Sequence, residues 1–536
     1  MQGLHFGRWQ RGRKHQTVCK ASSTPADIVW EAQQLAGRVA AGALAAVLVA
    51  RPLSAAALPE VDASQAPSAL PTAQPLKLRS DSLPPFPTRF PPVPGIKQPR
   101  TEQVVLPNGL RVFMMEDHEV PLVKGLLFMR GGQRASPPDK VGVATISASV
   151  QRAGGSVAHP GPELDQELEQ LAAYLEGGAG GEAITLGFEC LKEDSNKVLG
   201  LLTEVVTDPA LPQDKINQYK AQVLNILEHT NDNTSSIPRR ELAKLMYGRD
   251  SVFARQPTPD QVRGITRQDI RDYLAAWERP DGAVFGISGD FEPAAMKAAI
   301  RSTLGAWHTD PSQPRKPPLV PNTPLPDLQA TGGRVFLVDR PGATQATVAL
   351  GEVGVVQTDP DAFALDVLND ILNSFGGRLF DQIRSKEGLA YSVSGGWNTS
   401  AADHKGLFVA GGETAAPAEF LNLLQKALQE ATEAAPSEQE LAAAKAASLN
   451  SFVFNFASTG SQLQRMCIFA LLGIPQDYLF QYKAGIEAVT AQDVLEAAQR
   501  HLHPAQQTVV MAADAGLIRQ RLVDQGRTVV DLSLDQ

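Results

Sequence analysis

Cysteine is nearly absent. Three occur among 536 residues, Cys19, Cys190 and Cys467, and the first falls in a stretch whose composition marks it for removal. That leaves neither a disulfide framework nor a cysteine-based zinc site. Positive charge is in deficit, with 49 Lys and Arg against 58 Asp and Glu and a net charge of -9. A general affinity for nucleic acid is therefore excluded, and an acidic partner would need a local basic patch. Long hydrophobic runs are also missing: the apolar stretch from Val39 to Ala50 has only twelve residues, too few to span a bilayer. With 43% hydrophobic and 20% charged residues, the composition is that of a globular protein. The length suggests two or three domains at roughly 100 to 200 residues each.

The basic residues that are present cluster early. Arg8, Arg11, Arg13, Lys14 and Lys20 precede the first acid, Asp27, and Ser22, Ser23 and Thr24 lie among them, which reads as an organellar transit peptide. A second signal-like unit follows: Arg38, the Val39 to Ala50 run, then Ser54-Ala55-Ala56-Ala57, whose small residues offer an A-x-A type cleavage site. A basic leader followed by a hydrophobic one resembles the bipartite presequences of thylakoid-lumen proteins. Residues 1–57 are thus expected to target a chloroplast, and the lumen in particular. The alternative is a single long mitochondrial or plastid presequence, and Arg51 behind the apolar run fits it better. Residues 58–100, with Pro84-Pro85, Pro87 and Pro91-Pro92-Val93-Pro94, read as an extended linker, as do residues 311–333 with their seven prolines beginning at Pro311. Two domain-sized segments remain, 101–310 and 334–536.

These segments repeat one another. Arg111-Val112-Phe113 after the Pro107-Asn108-Gly109 turn matches Arg334-Val335-Phe336 after Gly332-Gly333, 223 residues on. Ile265-Thr266-Arg267-Gln268-Asp269-Ile270 matches Val489-Thr490-Ala491-Gln492-Asp493-Val494, 224 residues on. In both, Thr three before Asp at the start of a helical pattern predicts an N-cap with a carboxylate at the positive end of the dipole. Long helices are expected over Gln213–Glu228 and from Glu438 to Phe454, and closing strands from Gly282 to Ser288 and Gln507 to Ala512. The pattern predicts an α+β protein of two homologous domains, each an antiparallel-rich mixed sheet with helices packed on one face, paired as a clam-shell.

Specific motifs now accumulate. Leu106-Pro107-Asn108-Gly109-Leu110-Arg111-Val112, Val120-Pro121 and Arg130-Gly131-Gly132 precede Gly142-Val143-Ala144, and the second segment carries Gly376-Gly377-Arg378-Leu379-Phe380-Asp381-Gln382-Ile383-Arg384-Ser385-Lys386-Glu387-Gly388-Leu389-Ala390-Tyr391-Ser392-Val393. Together they resemble the pitrilysin/insulinase family of inverted zinc peptidases, which includes the mitochondrial processing peptidase, over residues 101 to 515. In active members a His-x-x-Glu-His helix holds zinc through its two histidines, with the glutamate as general base. Aligned on Gly142, the histidine positions are Thr145 and Ser149 and the glutamate position is Ala148. A hydroxyl is a poor zinc ligand beside neutral imidazole, and a methyl group moves no proton. At the family's spacing from Ser149 the third ligand, a glutamate in active members, falls on Ile226, with Glu228 two residues further on. Neither His-x-x-Glu-His nor His-Glu-x-x-His occurs anywhere in the chain. His501 and His503 read as helix-end residues near the last carbonyls rather than metal ligands.

The resemblance further implies that Arg384 and Tyr391, seven residues apart, reach the bound peptide backbone and the developing oxyanion. Both side chains are donors that can be aimed at a carbonyl oxygen in a water-poor cavity. A purely structural alternative has Arg384 closing a helix end, with Gly388 as its C′ residue, and Tyr391 packing into the core at the start of a strand. Gly177-Gly178-Ala179-Gly180-Gly181 lacks the Lys-Ser/Thr of a phosphate-binding loop and reads as a flexible hairpin. The expected function is that of a non-catalytic, substrate-binding subunit of an organellar zinc metalloendopeptidase. It would hold no metal of its own, pair with a homologous zinc-bearing subunit and close with it around peptides, with no nucleic acid partner and no membrane span in the mature chain. The alternatives are a scaffold built on the inactive fold and, with little support from clustered His, Asp and Glu, an autonomous peptidase with a rebuilt metal site.

Overall fold

The computed structural model describes residues 100–309, 325–374, 376–399, 404–456 and 458–534. The expected targeting segment, nearly all of the first linker and most of the second lie outside the described residues.

The first half forms a six-stranded sheet from β1 (Glu102–Val105), β2 (Arg111–Glu116), β3 (Leu122–Arg130), β4 (Tyr174–Ala179), β5 (Ala183–Leu191) and β6 (Ala283–Gly289), in the order β1-β2-β6-β3-β5-β4. The second half repeats it with β7 (Arg334–Asp339), β8 (Ala346–Val353), β9 (Ala390–Trp397), β10 (Leu407–Thr414), β11 (Thr508–Ala513) and β12 (Thr528–Asp531), in the order β12-β7-β11-β8-β10-β9. β2 runs parallel to β6 and β7 parallel to β11, while the inner pairings through β3 and β8 are antiparallel in both. Only the outermost strand breaks the equivalence, because β1 is antiparallel to β2 and β12 is parallel to β7.

Helices α1 (Val143–Gly154), α2 (Gly161–Gln170), α3 (Ser195–Thr207), α4 (Gln213–Glu228), α5 (Ile237–Tyr247), α6 (Pro259–Gly264), α7 (Arg267–Trp277) and α8 (Pro293–Ser302) belong to the first half. The second half contributes α9 (Ala362–Asn373), α10 (Pro417–Glu433), α11 (Glu438–Phe452), α12 (Thr459–Leu472), α13 (Tyr478–Ala488), α14 (Ala491–His501) and α15 (Ala515–Asp524). The two repeated threonines cap as their spacing predicts. Thr266 and Thr490 each accept from the N–H of the Asp three residues on, whose carboxylate reaches back to the cap N–H. The duplication extends to a detail the sequence did not flag: Lys220 Nζ donates to the carbonyls of Arg263 and Ile265, and Lys445 Nζ to those of Glu487 and Val489.

Each half buries helices on one face of its sheet, and the opposite face is covered as well, by a helix from the other half. In β2, Val112 and Met114 enter the first half's own core, while Phe113 and Met115 meet Leu463, Met466 and Cys467 of α12. In β7, Val335 and Leu337 point into the second core, while Phe336 and Val338 meet Ile237, Leu242 and Met246 of α5. Burying a side chain of this size stabilises by about 1.5 to 3 kcal/mol, so the reciprocal helices bind the halves together. The sequence signal was the absence of alternation: Val112 to Met115 and Val335 to Val338 are apolar throughout, the mark of strands buried on both faces.

Candidate functional site

The three positions aligned in the sequence with the expected zinc motif lie on α1. Its exposed stripe contains Thr145 and Ser149, both half-buried, whereas Ala148 is buried. The next residue along that stripe is Arg152, whose Nη1 lies 2.9 Å from Asp165 and whose Nε donates to the Leu175 carbonyl on β4. The stripe thus presents two hydroxyls and a guanidinium, a donor set that does not suit a dication. Helix α4 packs against α1 through Val223, Leu224 and Leu227, while Ile226 is 65% exposed on its far side. Tyr219, on the packed side of α4, lies within electrostatic reach of Arg152, Glu176 and Asp165, and burial raises its phenol pKa.

The far side of α1 is chemically unusual and went unnoticed in the sequence. Gln151 Nε2 donates to Glu278 Oε2 at 2.7 Å and to the Val205 carbonyl at 3.1 Å. Burial pushes the Glu278 carboxyl up to about 8, so it is protonated near neutral pH. No local motif announces it, since Glu278 directly follows an ordinary amphipathic helix and is buried only by the tertiary fold.

Arg384 and Tyr391 come together at the edge of the second sheet. Arg384 sits in a wide π-type turn over Phe380–Lys386, a helical form often found at functional sites. Gly388, at φ 61°, closes that turn: its N–H donates to the Arg384 carbonyl and the Leu389 N–H to the Ile383 carbonyl. The guanidinium carbon lies 4.8 Å from the ring centre of Phe380 and 4.8 Å from that of Tyr391, so Arg384 is held between two aromatic faces. β9 is the edge strand, and a bulge there sets Tyr391 and Ser392 against the single residue Glu413 of β10. Such a bulge re-aims side chains. Tyr391 is 81% exposed and contributes nothing to the core, contrary to the structural alternative, and Gly388 caps the turn while the Arg384 side chain lies exposed on the rings.

Other expected features resolve differently. Gly177 to Ala179 are part of β4, and the following turn is tied down rather than free: the N–H groups of Gln133 and Arg134 donate to the carbonyls of Gly180 and Gly181, and Arg134 pairs with Glu182 at 2.7 Å. A side chain at Gly132 would lie 2.5 Å from the Gly180 carbonyl, which explains the glycine there. His501 and His503 contact acids rather than helix carbonyls, at 2.8 Å from Asp361 and 2.8 Å from Glu352 respectively. Asp359, Asp361 and His501 could in principle converge on a cation, but Asp361 is already gripped by Nε and Nη2 of Arg500, each at 2.8 Å, which holds its carboxyl below the usual range. Among the described residues no helix is long and apolar enough to cross a membrane.

The fold is thus a doubled mixed sheet with exchanged helices that carries an aromatic-clamped Arg/Tyr pair. Residues 111–256 match the model of the insulinase (peptidase M16) family and residues 264–448 that of the peptidase M16 inactive domain, together more than half of the chain. The chain belongs to this family. It is similar to an uncharacterized zinc protease of Streptomyces coelicolor, 26% identical over 73% of this chain and 85% of that protein. It is also similar to a non-peptidase homologue of Helicobacter pylori, 23% identical over 70% and 86%. Shorter matches reach mitochondrial-processing peptidase subunit alpha-1 of Dictyostelium discoideum, 25% identical over 36% of this chain and 30% of that one, and human cytochrome b-c1 complex subunit 1, 23% identical over 52% and 56%. The crystal structure of a peptidase M16 inactive domain from Pseudomonas fluorescens superposes with a TM-score of 0.67, at 22% identity, over 81% of this chain and all of that one.

Proposed function

We propose that this protein is the non-catalytic, peptide-binding subunit of a zinc metalloendopeptidase whose metal and general base belong to a homologous partner. The observation that carries the reading is the contrast between the two sites. The positions aligned with the metal motif hold Thr145, Ala148 and Ser149, while Arg384, on the turn before β9, and Tyr391, on that edge strand, stand exposed with no structural duty that requires both. In the assembled pair, Arg384 and Tyr391 would donate to the peptide backbone and to the oxyanion that develops on the scissile carbonyl. An oxyanion donor of this kind is typically worth a factor of about 100 to 1,000 in turnover. Subunits named for the mitochondrial-processing peptidase among the relatives support a partnered role. Mitochondrial relatives of this kind favour a mitochondrial location for the mature protein, the alternative to the chloroplast expectation.

The test is peptide cleavage by the chain alone and mixed with the zinc-motif homologue from the same organism, with zinc quantified in each sample. Activity is expected only in the mixture, and Arg384→Ala is expected to lower turnover by about 100-fold or more without dissociating the pair. Stoichiometric zinc and cleavage by this chain alone would overturn the reading. A scaffold role is the second reading, supported by the match to a cytochrome b-c1 subunit. Recovery of the native protein in a membrane-bound redox complex, with Arg384→Ala silent in every assay, would favour it.

A further inference from the structure

Arg239 is a cation that lacks an ionised partner among the described residues. It occupies the first turn of α5, where the helix dipole disfavours positive charge. Burial alone lowers its pKa, with no ionised acid to offset it. Among the described residues its one hydrogen-bond partner is the neutral hydroxyl of Ser394, 3.4 Å from Nη2. By contrast, Arg240 and Lys244 on the same helix both pair with Glu241, at 3.0 Å and 2.9 Å. Arg239 is half-buried, and drawing a guanidinium partly out of water without an anion is unfavourable, a cost that a ligand bringing the anion would offset.

Its location indicates which ligand. Ser394 lies three residues beyond Tyr391 on edge strand β9, about 10 Å along the chain at the rise of an extended strand. Val409 of β10 packs with α5 and pairs with Gly396, and Gly411 pairs with Ser394. A hydroxyl and glycines therefore line this part of the sheet beside the guanidinium, with Glu413 two residues beyond Gly411 on β10. We propose that Arg239 is a specificity-determining residue that receives a carboxylate of the bound peptide a few residues from the segment held by Arg384 and Tyr391. The carboxylate is that of an acidic side chain or of the peptide C-terminus. This inference rests on the peptide-binding reading above. A charge-assisted, bidentate guanidinium–carboxylate contact is the strong form of such recognition, and lysine cannot reproduce its fork.

The experiment measures binding of fluorescent unstructured peptides to the full chain: one parent with an internal Glu and a free C-terminus, one with that Glu changed to Gln, and one amidated at the C-terminus. The parent is expected to bind about tenfold tighter than one of the two neutral analogues. Loss with Gln identifies the side chain as the source, and loss with the amide identifies the C-terminus. In Arg239→Gln that preference disappears while affinity for the neutral analogue is unchanged and thermal stability is equal or higher, because a desolvated cation is gone. Arg239→Lys restores part of the preference. A preference that survives Arg239→Gln, or no preference in the wild-type chain, overturns the inference while Arg384→Ala still weakens all three peptides. If the wild-type chain binds none of them, the peptide-binding reading falls as well.

Discussion

At the scale of single residues, the energetic oddity is a buried ionisable group held neutral by its surroundings. Glu278 is held protonated by burial with a pKa of about 8, against 4.5 for the free side chain. The sign follows from proton counting. Between those two values the unfolded chain has released the proton that the folded chain retains, so stability is fully present below about pH 4.5 and declines as pH rises toward 8. The slope is at most about 1.4 kcal/mol per pH unit. Glu278→Gln keeps the shape and the partner of Gln151 but cannot ionise. Thermal midpoints recorded from pH 5 to pH 8 are expected to fall for the wild type and stay level for this variant, which should be the more stable of the two near pH 8. A wild-type profile as flat as the variant's would show that Glu278 is not desolvated.

At the scale of elements, the bulge in β9 and the wide turn before it convert an ordinary helix–strand connection into a presenting device. The turn holds Arg384 between Phe380 and Tyr391, and the extra strand residue turns the tyrosine outward. The crossing helices are equally specific in their fit. A Cβ at Gly286 on β6 would lie 2.5 Å from Cys467 Sγ and 3.0 Å from Leu463 Cγ, both on α12. Gly286→Ala is therefore expected to destabilise by roughly 1 to 3 kcal/mol through overpacking. Pairing it with Cys467→Ala, which removes the sulfur, should recover part of that loss, a coupling visible in a denaturation-based double-mutant cycle. Additive losses would mean that α12 does not seat on β6 as described.

At the scale of the whole molecule, neither half is complete without the other. Among the described residues, Phe113, Met115, Phe128 and Val284 pack against α12, and Phe336, Val338, Val510 and Ala512 against α5 together with Leu328, Leu532 and Leu534. A smaller contact reinforces the union: Phe253 stacks on His404 with ring centres 4.1 Å apart, the Arg134 guanidinium lies 4.7 Å over the Phe253 ring, and the Tyr247 hydroxyl donates to the Lys405 carbonyl. Chains divided between Thr309 and Leu325 are expected to aggregate when either piece is expressed alone and to copurify as one folded species when coexpressed. Two soluble, monomeric pieces with cooperative melting would contradict this dependence. The same interlock fixes α5, and with it Arg239, against the edge strand that bears Tyr391.

The sequence by itself determined the duplication, both capping boxes and α4 to the residue, because these are carried by short-range spacing and residue chemistry. It also contained, in the unbroken apolar runs of β2 and β7, the fact that both faces of each sheet are covered. Only the tertiary structure decided what covers them. The exchange of α5 and α12, the burial of Glu278 and the placing of Arg239 beside Ser394 depend on contacts between residues more than 100 positions apart. A hydrophobic pattern states that a face must be buried, but it does not name the partner, and a charge has no environment until the chain around it has folded.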